Sequence, residues 1–204
     1  MTKQDMFRER ILDAARQCYI ESPTSERMHA LIAERAGVSR PTVYKYVGDQ
    51  EAVRVAMMER EALSFLAALM PVFMERMPLR IHFRELVVAG VAFVEGNELF
   101  QAMLRENPAL LARSLTVDLT PLLDMGGELA ENMVRSMHPD LADTGLPLDL
   151  VIEWGVRMCV SIVTTPSPRF DLSDHDSLRD HLDSLFAIVT TYGDVDSAHS
   201  ESIG

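Results

Sequence analysis

Apolar residues recur at helical spacing over most of this chain. Phe7, Ile11, Ala14, Ala15 and Cys18 fall three or four apart, which predicts a first helix over about 5–20. The next residues, Glu-Ser-Pro-Thr-Ser at 21–25, form a turn rich in capping side chains. A second helix follows over about 26–36 and is closed by Gly37. A short third helix starts after Ser39 and ends at Gly48, and Asp49 is placed to cap a long fourth. The stripe of that fourth helix is Ala52, Ala56, Leu63, Leu66, Met70, Phe73 and Met77, with Pro78 marking its end. Further helical segments are expected at about 81–95, 98–106, 108–114, 119–137, 148–164 and 175–192, with loops at 138–147 and 166–174. No stretch alternates like a half-buried strand and no repeat is visible. The pattern predicts an all-α protein with a three-helix head over 1–50, a helical body over 51–193 and a flexible polar tail over 194–204.

Composition narrows the classes. The chain has 204 residues, 48% of them hydrophobic, enough for a packed core. Cys18 and Cys159 lack metal-like spacing and read as small core residues of a reducing compartment. The first ten residues are charged rather than a signal run, and apolar stretches such as 86–94 are too short to span a bilayer, so a cytoplasmic protein without membrane contact is expected. The net charge of −12 argues against nucleic acid until its distribution is read. Residues 1–60 hold ten Lys and Arg against nine Asp and Glu, whereas 61–204 hold nine against twenty-two. A near-neutral head on an acidic body fits phosphate contact at one end only.

The informative segment is 32–46, Ile-Ala-Glu-Arg-Ala-Gly-Val-Ser-Arg-Pro-Thr-Val-Tyr-Lys-Tyr. Two short helices meeting steeply need a small residue at the crossing (Ala33), a turn residue tolerant of positive φ (Gly37) and apolar plugs (Val38, Val43), with Ile32 and Ala36 facing the same core. Ser39 can cap the third helix, and Pro41 is tolerated in its first turn. The outer face then presents Arg40, Thr42, Tyr44 and Lys45, with Tyr46 beside them. Arginine can grip a guanine edge, threonine a thymine methyl or phosphate, and tyrosine and lysine phosphate oxygens. An ordinary helix-turn-helix corner with a solvated polar face has the same spacing.

These residues resemble the DNA-binding head of the TetR family of tetracycline-repressor-like regulators. The match is carried by Ile32-Ala33, Ala36-Gly37-Val38-Ser39, Pro41-Thr42-Val43-Tyr44-Lys45-Tyr46-Val47 and Glu51-Ala52-Val53, with Ala14, Ala15 and Tyr19 before them. It covers about residues 7–60; beyond that only the helical layout fits. The resemblance implies a two-fold dimer on a palindromic double-stranded operator. Arg40, Pro41, Thr42 and Tyr44 would face bases or the groove wall, and Tyr44 and Tyr46 the backbone. Two departures stand out. Met28 occupies a position where relatives often carry a phosphate-binding threonine, and Gln50 one where they usually carry lysine; Thr24 or Ser25 could replace the lost contact.

For the body, the resemblance implies a pocket for a small effector and a dimer seam on the last two helices. The thirteen methionines suit a lipophilic ligand. Met70, Phe73, Met74, Phe100, Met103, Met125, Trp154 and Met158 are expected to face inward, with Arg157 free for a ligand carboxylate or, in the favoured reading, paired with Glu153 one turn earlier. Leu182, Leu185, Phe186 and Val189 are the expected seam, unless that stripe closes the monomer core. No metal or other cofactor is expected: His175 and His181, six apart, do not align on a helix. Nor is catalysis, since no nucleophile–base pair or glycine-rich phosphate loop is present. The function expected is a ligand-released repressor. The alternatives are a ligand-controlled activator, or a related protein whose weakened DNA binding has given way to protein contacts.

Overall fold

The computed structural model describes residues 2–116, 118–139, 147–165, 167–171 and 173–201. Among them the regular structure is entirely helical: α1 (Lys3–Glu21), α2 (Met28–Arg35), α3 (Arg40–Tyr46), α4 (Gln50–Phe73), α5 (Leu79–Gly96), α6 (Glu98–Glu106), α7 (Pro108–Ser114), α8 (Thr120–Met137), α9 (Leu148–Thr164) and α10 (His175–Glu201). No single helix among the described residues is long and apolar enough to cross a membrane.

Local chemistry explains most boundaries. Thr2 and Asp5 form a capping box at the start of α1, the Thr2 amide donating to the Asp5 carboxylate at 2.7 Å. That bond and the Thr2 hydroxyl hold the Asp5 carboxyl below its ordinary range. The α2–α3 corner closes as a Schellman turn: Gly37 sits at φ 61°, its amide donates to Glu34 O at 3.0 Å, and the Val38 amide donates to Ala33 O at 3.0 Å. Ser39 caps α3, its Oγ accepting from the Thr42 amide at 3.3 Å. Asp49 caps α4 through the Ala52 amide at 2.8 Å.

Two elements differ in length from the sequence reading. Helix α4 stops at Phe73 although its apolar stripe continues to Met77; Pro71 lies in its last turn and contributes no amide to the ladder. Helix α10 runs to Glu201, through Gly193 and the segment expected as a tail. A single glycine costs a helix about 1 kcal/mol, less than is needed to stop one already propagating.

Packing divides the chain into two compact units, Met1–Ala68 with Phe93–Leu129 and Leu69–Ala92 with Ala130–Gly204. The core of the first gathers Ile11, Ala15, Ile32, Val43, Val53 and Met57 with Leu99, Phe100 and Met103, so α6 packs into the same cluster as the three N-terminal helices. A buried polar ring is set into this unit. Glu61 accepts from Arg16 Nε at 2.9 Å and from Asn97 Nδ2 at 2.7 Å, while Asn97 Oδ1 caps α6 through the Leu99 amide at 3.0 Å. The core of the second unit is Val87, Val88 and Val91 of α5, Cys159 of α9, and Leu178 and Leu182 of α10. Burial pushes the Cys159 thiol up to about 12. Beside that core, His82 Nδ1 meets His138 Nε2 at 2.8 Å, both rings buried.

Candidate nucleic-acid interface

Helix α3 is anchored from behind and open in front. Val43 is fully buried, and Ile32, Ala33 and Ala36 of the preceding turn are nearly so. On the other side Arg40, Pro41, Tyr44 and Lys45 are exposed. The Thr42 hydroxyl lies 2.8 Å from Ser39 Oγ, so it is held at the N-terminal turn. Tyr44, 58% exposed, is braced by a residue that the sequence did not single out: the His29 ring lies 4.5 Å from its centroid, and His29 Nε2 is 3.3 Å from the Gly48 carbonyl. Tyr46 is half-buried and stacks on Phe7 of α1, centroids 4.9 Å apart and planes 10° from parallel. Lys45 Nζ sits 5.3 Å from the Tyr46 centroid, and the Arg10 guanidinium 5.0 Å from that of Phe7. Spacing on α1 could have flagged Phe7 and Arg10 as neighbours three apart; their partner on α3 is invisible in sequence.

Thr24, Ser25 and Gln50 come together on the rim of one cleft of about 240 Å³, lined also by Tyr19, Met28 and Arg54. Met28 is 1% exposed and belongs to the core, which accounts for an apolar residue at that position. Below the rim, the buried Arg54 guanidinium donates to Glu51 at 2.9 Å, to Ser114 Oγ at 3.0 Å and to Asp118 at 2.8 Å, tying α4 to the end of α7. This bonding holds the Glu51 carboxyl low, and burial pushes the Tyr19 phenol up.

The distribution of ion pairs separates the head from the rest. Arg54, Arg60, Arg80, Arg84, Arg113, Arg135, Arg157 and Arg179 all pair with carboxylates of their own chain. In the first fifty residues only Arg16 and Arg35 do so, with Glu61 and Glu21. Among the described residues Lys3, Arg8, Arg10, Arg27, Arg40 and Lys45 have no ion pair, six of the eight cations in that segment, against Arg76, Arg105 and Arg169 of the eleven from Arg54 onward. The head therefore carries cations that no carboxylate among the described residues neutralises.

The residues expected around an effector pocket are not gathered in one cluster. Phe100 and Met103 are core residues of the first unit. Phe73 is buried in the second, edge-on to His82, and Met158 packs against that unit's core. Contrary to the expected inward placement, Met70, Met74 and Trp154 are exposed, Trp154 by 61%. Arg157 pairs with Glu153 at 2.7 Å, as favoured from spacing. The expected seam also splits. Leu182 is 1% exposed inside its own core, and Phe186 packs edge-on to Phe83. Leu185 and Ile188 of α10 are open, as are Leu150 and Trp154 of α9. The apolar period is the same for a stripe facing either way, which is why sequence could not separate these cases. The side chains of Met125 and Val189 lie outside the described residues. Among the described residues no group of three or more His, Cys, Asp or Glu could hold a metal ion.

The model of bacterial regulatory proteins of the tetR family matches residues 11–57. An uncharacterized HTH-type transcriptional regulator of Mycobacterium tuberculosis, from strains CDC 1551 and H37Rv, is 28% identical over 171 residues, 80% of this chain and 78% of its own. Among solved structures, the TetR family repressor AlkX from Dietzia sp., implicated in biodegradation of n-alkanes, aligns with a TM-score of 0.57 at 18% identity, covering 91% of this chain and 95% of its own. The fatty acid degradation regulator FadR from Bacillus halodurans aligns with a TM-score of 0.52 at 18% identity, covering 86% and 93%. At that identity the likeness to the solved structures is one of fold.

Proposed function

We propose, from the premise that this chain belongs to the tetR family of bacterial regulatory proteins, that it is a repressor in the cytoplasm that binds a palindromic operator as a homodimer and is released by a small lipophilic ligand. It has no enzymatic role in this reading. One observation carries the DNA half: Arg40 and Lys45 on the exposed α3, and Arg10 beside it, have no ion pair among the described residues, while eight of the eleven arginines from Arg54 onward are consumed in internal pairs. Phosphate binding needs charge that is not already spent on a carboxylate. In this reading Arg40, Thr42 and Tyr44 read the groove. Tyr46, Lys45, Gln50, Thr24 and Ser25 hold the backbone, with Ser39 and Pro41 shaping the first turn of α3. The division of labour falls near residue 50, although packing places α6 and α7 with the head.

Dimerisation is supported by the exposed apolar residues Leu150 and Trp154 of α9 and Leu185 and Ile188 of α10, which in this reading a second copy covers in a four-helix arrangement. Two heads on one palindrome require half-sites about one helical turn apart. The effector class rests on the thioether and aromatic side chains of the body, Phe73 and Met158 among them. A gel shift with the DNA upstream of its own coding region tests the reading. Selective retardation of that fragment without ligand supports it, and equal affinity for an unrelated fragment overturns it. A thermal-shift screen of fatty acids and alkanols tests the effector class, since a ligand bound to the folded state raises Tm.

A further inference from the structure

We infer that α1 is part of the DNA grip, with Arg10 a phosphate contact held in place by Phe7 and Tyr46. This rests on the reading of the head as a DNA-binding unit and adds a residue that the corner itself does not contain. Phe7 and Tyr46 form a parallel stack, with Arg10 over the first ring and Lys45 over the second. Two cations thus flank one pair of rings at the junction of α1 and α3.

The way Arg10 is held matters. A carboxylate partner would cancel its charge, whereas an aromatic face attracts the cation and leaves its full charge and its in-plane N–H donors outward. The acidic neighbours that could have neutralised it are already taken. Arg60 donates to Asp13 at 2.7 Å and to Glu9 at 3.4 Å, drawing both carboxylates toward α4. Arg10 itself is exposed and has no ion pair among the described residues. Stacking also restrains a long side chain beforehand, so less freedom is lost when phosphate arrives. The same stack fixes Tyr46, so α1 positions one expected backbone contact and supplies another. That compensates for the neutral Gln50 on α4.

Salt titration of binding by the full-length protein tests this. The probes are the upstream fragment and a duplex of unrelated sequence, from about 50 to about 200 mM salt. Arg10→Ala is expected to weaken both duplexes alike and to reduce the slope of log K against log salt by about 0.9 for each head engaged, so that its deficit against wild type shrinks by about 3.5-fold per head over that range. Arg10→Lys keeps the charge and is expected to keep most of the slope. Arg76→Ala removes a second cation, one that likewise has no ion pair among the described residues but lies outside the head, and is expected to leave the slope unchanged. Melting curves that coincide with wild type establish that the exposed Arg10 is not holding the fold. An unchanged slope in Arg10→Ala overturns the inference, as does an equal loss in Arg76→Ala, which would make the effect one of net charge. A wild-type protein that binds neither duplex removes the DNA reading itself, a different failure from a binding wild type with an indifferent Arg10.

Discussion

Replacing Glu61 by alanine tests the polar ring that joins α1, α4 and α6. Glu61 is 4% exposed and receives two donors, Arg16 Nε at 2.9 Å and Asn97 Nδ2 at 2.7 Å. Alanine leaves the Asn97 amide, 8% exposed, without an acceptor, at about 1–3 kcal/mol. The Arg16 side chain is 26% exposed and can turn to water, so its lost pair adds under about 1 kcal/mol. An unanchored Asn97 also caps α6 less firmly, and loss of a cap costs about 1 kcal/mol. The expected total is about 3 kcal/mol, which for a chain of this size lowers Tm by about 6–12 °C. Urea and thermal melts at fixed protein concentration measure it, concentration being held because the proposed dimerisation would feed into apparent stability. Glu61→Gln keeps one acceptor for Asn97 and should lose less than half as much. A stability for Glu61→Ala within about 0.5 kcal/mol of wild type would refute the view that this ring is a structural tie.

Gln50→Lys restores a charge at the start of α4; it is expected to steepen the salt dependence of DNA binding by about 0.9 per head, and an unaltered affinity would show that Gln50 does not approach phosphate. Gly48→Ala is expected to be more damaging than Gly37→Ala in thermal melts. Both glycines have positive φ, but a Cβ at Gly48 would lie 2.7 Å from that of Ala52, whereas Gly37 has open space. His82 predicts acid sensitivity. Burial, and then the proximity of His138, lower its pKa against the opposing Val72 carbonyl and Glu75. The folded state therefore refuses a proton that the unfolded chain accepts, so stability is full above about pH 6.5 and declines as pH falls below it. Urea melts from about pH 7.5 to about pH 5 should show that decline, with a flatter profile for His82→Gln.

What was legible in the sequence was local. Gly37, Ser39 and Asp49 announce the corner and two caps because their chemistry acts within three or four residues. The Arg157–Glu153 pair is legible for the same reason. Direction was not legible: an apolar stripe states its period, not which of two neighbours it faces, so Leu182 turned out to be core and Trp154 surface. Nor were long-range ties. Arg16 meets Glu61 forty-five positions away, and Phe7 meets Tyr46 across the head; only packing brings them together. Within the candidate interface, the residues of α3 itself were readable, and those that brace them, His29 and Phe7, were not.

The exposed indole of α9 has an optical consequence. The chain contains one tryptophan, and it stands on the open stripe beside Leu150 rather than in either core. Its fluorescence therefore reports on that face alone: emission lies at long wavelength when the ring meets water and would move blue if the proposed second copy covered it. A red shift on serial dilution of the unlabelled protein is the outcome expected of the proposed dimer, and an unchanged wavelength speaks against this face being its seam. The wavelength of a single residue would then serve as a running measure of the proposed assembly as its surroundings are varied.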